Sequence, residues 1–153
     1  MLQYPAALHA TILLAASHLG KEQSSQSYTV DLSQLRSMAV REISKSLAVE
    51  ARGVSDHLIA AVMQMASYEA LFGEWSICDT HMRGLKQMVS LRGGLSALGL
   101  GGVLEHACLW VDSNISKITG TSLYFDEREF PPSSPDLSHP QPSASQPFAI
   151  GLL

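Results

Sequence analysis

At 153 residues the chain can build one hydrophobic core and is short for a second independent domain. Only 16% of its residues are charged, against about 25% in a typical globular protein, while the hydrophobic fraction of 46% is ordinary. The net charge is −4, and the ten Lys and Arg residues are scattered from Lys21 to Arg128 with no basic stripe, which argues against direct nucleic-acid binding, where phosphate neutralisation supplies much of the affinity. So few charges leave much of the surface neutral or apolar, as expected where a partner or a further part of a longer protein covers some helix faces. Two cysteines, Cys78 and Cys108, give no disulfide framework and fit a reducing compartment.

The apolar start, Tyr4 to Leu19, lacks a positively charged leader, is interrupted by His9, Thr11, Ser17 and His18, and falls short of the roughly 20 residues that span a bilayer. It reads as a buried helix, with a weak signal peptide as the lesser alternative and no membrane partner. Pro5 suits its first turn, and Gly20 is expected to stop it. A polar loop follows, Lys21 to Thr29. The second helix begins near Asp31 or Ser33, where Asp31 with Gln34 three residues on resembles a capping box. Leu35, Ala39, Ile43 and Leu47 repeat every four residues as one apolar face, and Gly53 ends the element.

Ser55 is placed to cap a third helix. There Leu58, Ile59, Val62, Met63, Ala66 and Ala70 form one face, and Met65, Leu71 and Phe72 add apolar surface elsewhere. A helix apolar around most of its circumference belongs at the centre of an assembly. Gly73 makes a tight break before a fourth helix, about Trp75 to Arg92. Its stripe of Ile77, Cys78, His81, Met82, Leu85, Met88, Val89 and Arg92 faces away from Asp79, Arg83, Lys86, Gln87 and Ser90. Arg92 in the last turn favours the helix dipole, and Gly93-Gly94 supplies positive-φ residues for the cap. After a loop from Leu95 to Gly102, a fifth helix uses Val103, Leu104, Ala107, Cys108, Val111, Ile115 and Ile118 and ends near Gly120. The pattern over 121–130 fits no element.

Six of the seven prolines lie between Pro131 and Pro147, interleaved with serines, so residues 131–153 are expected to be a flexible Pro/Ser-rich tail behind a helical domain of residues 1–130. Phe148 to Leu153 is an apolar stretch with no assigned place. The fold class expected is all-α: about five antiparallel helices in a bundle or stacked helical hairpins. No repeat period supports a regular solenoid.

Three segments carry a resemblance. Pro5-Ala6-Ala7-Leu8-His9-Ala10 running on to Ala15-Ala16-Ser17-His18-Leu19 is the first. Tyr68-Glu69-Ala70-Leu71-Phe72-Gly73, followed by His81-Met82-Arg83-Gly84-Leu85 and Arg92-Gly93-Gly94-Leu95, is the second, and Leu109-Trp110-Val111-Asp112 the third. In this order the chain resembles, over roughly residues 4 to 125, the effector domain of fungus-specific transcription factors, whose members typically carry an N-terminal binuclear zinc cluster. That cluster needs six closely spaced cysteines beside basic residues, and the two cysteines here stand thirty positions apart. The resemblance therefore implies the N-terminal part of an effector domain without its DNA reader: a short protein, a truncated gene model or a remnant. It also implies nuclear placement; without it the chain would be assigned to the cytoplasm.

Chemistry-bearing residues are weighed against packing. Cys78 and His81, three apart on one face, could join Cys108 or His106 in a zinc site, but a buried thiol and an interface histidine inside an apolar stripe are ordinary core features. His57, His81 and His106 with Asp56, Asp79 or Asp112 make acid/base pairs on paper, yet no spacing brings a nucleophile, base and orienter together, and no phosphate-binding loop or nucleophile elbow is present. No cofactor is indicated. Gly84 is expected to admit a close neighbour, and Trp110 to anchor the fifth helix.

The function expected is transcription-factor-like regulation through protein contact, with a protein partner, a longer homologous factor or a second copy of the chain as the mate. The residues expected at the contact or at an inter-helix pocket are His81, Leu85, Arg92, Trp110 and Asp112, with Met63, Met82 and Met88 as further pocket candidates. The alternatives are an orphan helical scaffold without regulatory activity and, behind it, a small-molecule-binding or enzymatic helical protein.

Overall fold

The computed structural model describes residues 4–22, 31–49 and 53–131. Among them are five α-helices and no strand: α1 (Pro5–Glu22), α2 (Leu32–Val49), α3 (Asp56–Phe72), α4 (Trp75–Leu91) and α5 (Val103–Thr119), with 3₁₀ turns at Leu95–Ala97 and Leu100–Gly102 between the last two. No helix among the described residues is long and apolar enough to cross a membrane. The expected tail lies outside the described residues apart from Pro131, as do most of the loop after α1 and residues 50–52, through which α2 was expected to continue.

Local chemistry sets most of the boundaries. The Asp31 carboxylate accepts a hydrogen bond from the Gln34 amide at 3.1 Å, and the Ser55 hydroxyl accepts one from the Leu58 amide at 3.2 Å, each satisfying an amide that the helix start leaves without a partner. At the end of α4, Gly93 and Gly94 take φ values of 97° and 105°, and their amides bond back to Ser90 and Val89. Gly20 does not stop α1, which runs through it to Glu22. A helical glycine costs about 1 kcal/mol relative to alanine, too little to end a helix by itself.

Two consecutive pairs make the body. α1 packs on α2 and α3 packs on α4, and the pairs join where α1 and α2 lie against α3. α5 then leans on α3, which is the one helix packed against all four others, as its apolar circumference requires. The core includes Leu13, Leu58, Ile59, Met65, Met82, Leu85 and Val89, all shielded from solvent. The α2 stripe is buried at Ala39 and Ile43 but not at Leu47, which is exposed near the end of the helix.

Inside this apolar body sits the carboxylate of Glu69 on α3, its side chain fully buried. Arg36 Nε of α2 donates to Glu69 Oε1 at 2.6 Å, and the Glu74 amide at the start of α4 donates to Oε2 at 3.1 Å. The Glu69 backbone carbonyl also accepts from the Gly73 amide. One residue thus ties three helices, and its negative charge stands at the N-terminal end of α4, where the helix dipole favours it. Gly73 is required by close approach: a Cβ there would overlap the Glu69 carboxylate.

The two partners are not equivalent. Arg36 is one-third exposed and could turn to water, whereas Glu69 could not. Arg36→Leu is therefore expected to cost roughly 3–5 kcal/mol by leaving a buried charge uncompensated. Adding Glu69→Gln, which removes the charge but keeps an oxygen for the Glu74 amide, should recover part of that loss. Urea unfolding of the two single variants and the double variant measures this non-additivity.

Candidate functional site

The residues expected at the contact surface separate when placed in the fold. Leu85 is fully buried and Met82 with it, so neither can meet a partner. Arg92 closes α4 by reaching back to the start of α3: its guanidinium donates to the Val54 carbonyl at 2.7 Å and pairs with Asp56 Oδ1 at 2.9 Å. It is therefore an internal brace as well as a cap. A Cβ at Gly84 would meet nothing within 4 Å, so no close approach of a neighbouring helix requires glycine there.

His81 is half-buried on α4, with Nε2 shielded and without a hydrogen-bond partner among the described residues. Burial pushes its pKa below the ordinary value of 6.5, and the nearby Glu69 carboxylate opposes that shift only in part. Cys78 and Cys108 are free and fully buried, and desolvation pushes their thiols up to about 11 and about 12. Such thiols stay protonated at neutral pH and are poor nucleophiles or zinc ligands. Among the described residues no three His, Cys, Asp or Glu side chains gather as a metal-binding set, so the fold does not bring Cys78, His81 and Cys108 into one.

Apart from His81, the residues that form acid/base pairs on paper have structural partners instead. His57 stacks on the Tyr4 ring at 3.5 Å between centroids, Asp56 holds Arg92, and His106 Nδ1 lies 2.8 Å from the Gly102 carbonyl. Asp79 pairs with Arg83 at 2.8 Å and accepts from the Tyr124 hydroxyl.

Asp112 organises a segment whose sequence fits no element. Buried on α5, it accepts hydrogen bonds from the backbone amides of Tyr124 at 3.0 Å and Phe125 at 2.8 Å. Burial raises its pKa, while the two amide bonds pull the other way. The segment 121–130 is thereby fastened along α4 and α5 as a strap. Phe125 and Phe130 enter the core edge to face, with ring centroids 5.2 Å apart, and Lys86 of α4 pairs with Glu129 at 2.6 Å. The signal for this strap was two phenylalanines five residues apart before the prolines, opposite a carboxylate inside an apolar helical face.

Trp110 alone of the five expected contact residues opens on a cavity. It was expected to anchor α5, yet it stands 62% exposed at the rim of an open groove of about 360 Å³ between α1, α3 and α5. Leu14 and His18 come from α1, Ser67, Ala70 and Leu71 from α3, and Val111, Asn114, Ile115 and Ile118 from α5. No lining residue is Asp, Glu, Lys or Arg. Of the methionines singled out, Met82 and Met88 are buried and Met63 is partly buried against the core; none lines the groove. The α1 and α3 walls were hidden in the sequence because Leu14, Ala70 and Leu71 look like any core residue until neighbours are known.

The described residues thus define a helical domain with one neutral, apolar, open groove and no gathered set of reactive groups. A family model described as the fungal specific transcription factor domain matches residues 1–149, and the chain belongs to that family. The match runs past the roughly 4–125 over which the motifs carried the resemblance and takes in most of the Pro/Ser-rich stretch. The family is one of transcription-factor domains and not of enzymes, so the coarse role is transcriptional regulation. Neither a curated protein nor a solved structure matches the chain.

Two outcomes follow from the buried polar groups. Because the folded state disfavours charged His81, stability should be full above the ordinary histidine pKa and fall as pH drops below about 6.5. His81→Gln should flatten that decline in urea titrations across the window. Asp112→Ala leaves the Tyr124 and Phe125 amides unpaired, each worth about 1–3 kcal/mol if it stays buried. It should be read as faster hydrogen exchange confined to 121–130, with α3 and α4 unchanged.

Proposed function

We propose that the chain regulates transcription by contact, as a nuclear helical effector-type domain that carries no DNA-binding element of its own within these residues. Its mate is a protein, most simply a longer homologous factor or a second copy, and pairing titrates that factor. The observation that carries this reading is the groove between α1, α3 and α5, whose rim leaves Trp110 and Ile118 more than half exposed. Large aromatic groups beside an uncharged apolar cleft are the usual energetic centre of a protein interface. Contact without DNA binding is further supported by the net charge of −4, the absence of a basic stripe and the lack of a six-cysteine cluster in the sequence.

Co-expressed with a longer family member that drives a reporter, the chain is expected to lower reporter output. Trp110→Asp should relieve that repression, because loss of such an anchor costs about 2 kcal/mol or more, roughly thirtyfold in affinity. Trp110 is exposed, so helical circular dichroism should be unchanged by the substitution. Equal repression by the variant, or retention of DNA by the purified chain, would sink the reading.

A further inference from the structure

From Pro5 to Gly20 the helix α1 contains no Asp, Glu, Lys or Arg. Its core side is Ala6, Ala10, Leu13 and Ser17, all buried. At about 100° per residue, the stripe of Leu8, Ile12, Ala15 and Leu19 is centred some 160° further round, and all four are exposed. The outward face of a surface helix is normally polar, as on α4, where Asp79 and Arg83 pair. On α1 that face is apolar along its length, and no element among the described residues covers it.

The positions 8, 12, 15 and 19 follow one another at steps of four, three and four, the spacing of a seam that packs along another helix. Those steps read the same from either end. An antiparallel second copy therefore sets Leu8 against Leu19 and Ile12 against Ala15, a large side chain facing a small one on each side of the two-fold axis. A parallel copy would oppose Ala15 to Ala15, leaving a gap, and would align the two helix dipoles. Because the stripe carries no charge, two chains of net charge −4 meet here without like charges in contact. Tyr4, Leu8, Ile12 and Leu19 are 44%, 38%, 41% and 56% exposed. At about 150–200 Å² for a large side chain that is roughly 300 Å² of apolar surface per copy. With the polar rim that makes up over a third of an interface, a pair closes about 1,000 Å² in total, the size of a specific but weak association.

We propose that two copies of the chain associate reversibly through the outer faces of their α1 helices, packed antiparallel about a two-fold axis. The interface is isologous, each copy giving the same stripe and receiving it. It is separate from the groove, whose α1 wall is Leu14 and His18 and not the seam residues. Pairing through α1 does not depend on the reading of the groove as the site for a longer factor.

Sedimentation equilibrium of the full chain over a wide concentration range tests this. The mean mass should climb from that of one chain towards that of two, and Ile12→Asp or Leu19→Asp should raise the dissociation constant at least about tenfold by burying an unpaired charge twice per pair. Both positions are exposed, so helical circular dichroism should be unchanged. Leu8→Asp chains and Leu19→Lys chains should each associate poorly alone, while an equal mixture, which sets aspartate against lysine across one end of the seam, should recover association. A chain that stays monomeric throughout, or an Ile12→Asp variant that pairs as well as the parent, overturns the seam. No recovery on mixing overturns the antiparallel register. Trp110→Asp should leave the mass curve where it was; if it abolishes association instead, the second copy sits in the groove and the α1 seam is wrong. Reporter repression is a separate readout, so either result can fail while the other stands.

Discussion

A buried carboxylate in the middle of an apolar helix is the constraint around which this domain is arranged. Glu69 sits on α3, the helix that touches all the others, at a point where charge would be intolerable without partners. Arg36 supplies one from α2 and the Glu74 amide another from α4. Three elements must therefore arrive together for the charge to be satisfied, which excludes arrangements in which α2 slides along α3 or α4 turns away after Gly73. A purely apolar α3 would have been held about as firmly, since burying an ion pair yields little net stability, but with less to fix its register. The short stem at Gly73 belongs to the same device, because any side chain there would collide with the carboxylate.

A second carboxylate does comparable work at the other end of the molecule. Asp112 holds no cation; it receives two consecutive backbone amides and so converts an irregular segment into a fixed strap. The strap brings Phe125 and Phe130 into the core and joins α5 to α4, helices that make little direct contact. Arg92 performs a third bracing step, carrying the end of α4 back to the start of α3. All three braces are charged residues spent inside the fold, which is one reason so few charges remain for the surface.

How much of this was legible beforehand divides along a physical line. Periodicity placed all five helices, and the caps at Asp31, Ser55 and Gly93-Gly94 were readable because capping depends on residues within one turn of each other. The central position of α3 followed from its apolar circumference. Long-range pairing was not legible. Arg36 and Glu69 are 33 positions apart and Asp112 lies 13 from Phe125, and nothing in either neighbourhood announces its mate. Exposure was misjudged for the same reason: Leu85 lies in the α4 stripe and was expected at the contact, and Trp110 was expected to anchor α5, but only the neighbours decide that Leu85 is enclosed and Trp110 left at a rim. The groove needed three helices to be placed at once, so only its Trp110 edge was foreseen.

The opening of the groove follows from how α5 is fastened. At about 100° per residue Asp112 lies some 200° around the helix from Trp110, on the opposite flank. The strap therefore closes the side of α5 that faces α4, while the side carrying Trp110, Asn114 and Ile118 has only the slopes of α1 and α3 to lean against. Trp110 stands more than half exposed there, with no Asp, Glu, Lys or Arg in the lining. On a domain that spends its polar residues so carefully elsewhere, an apolar surface of that kind is where binding energy is available.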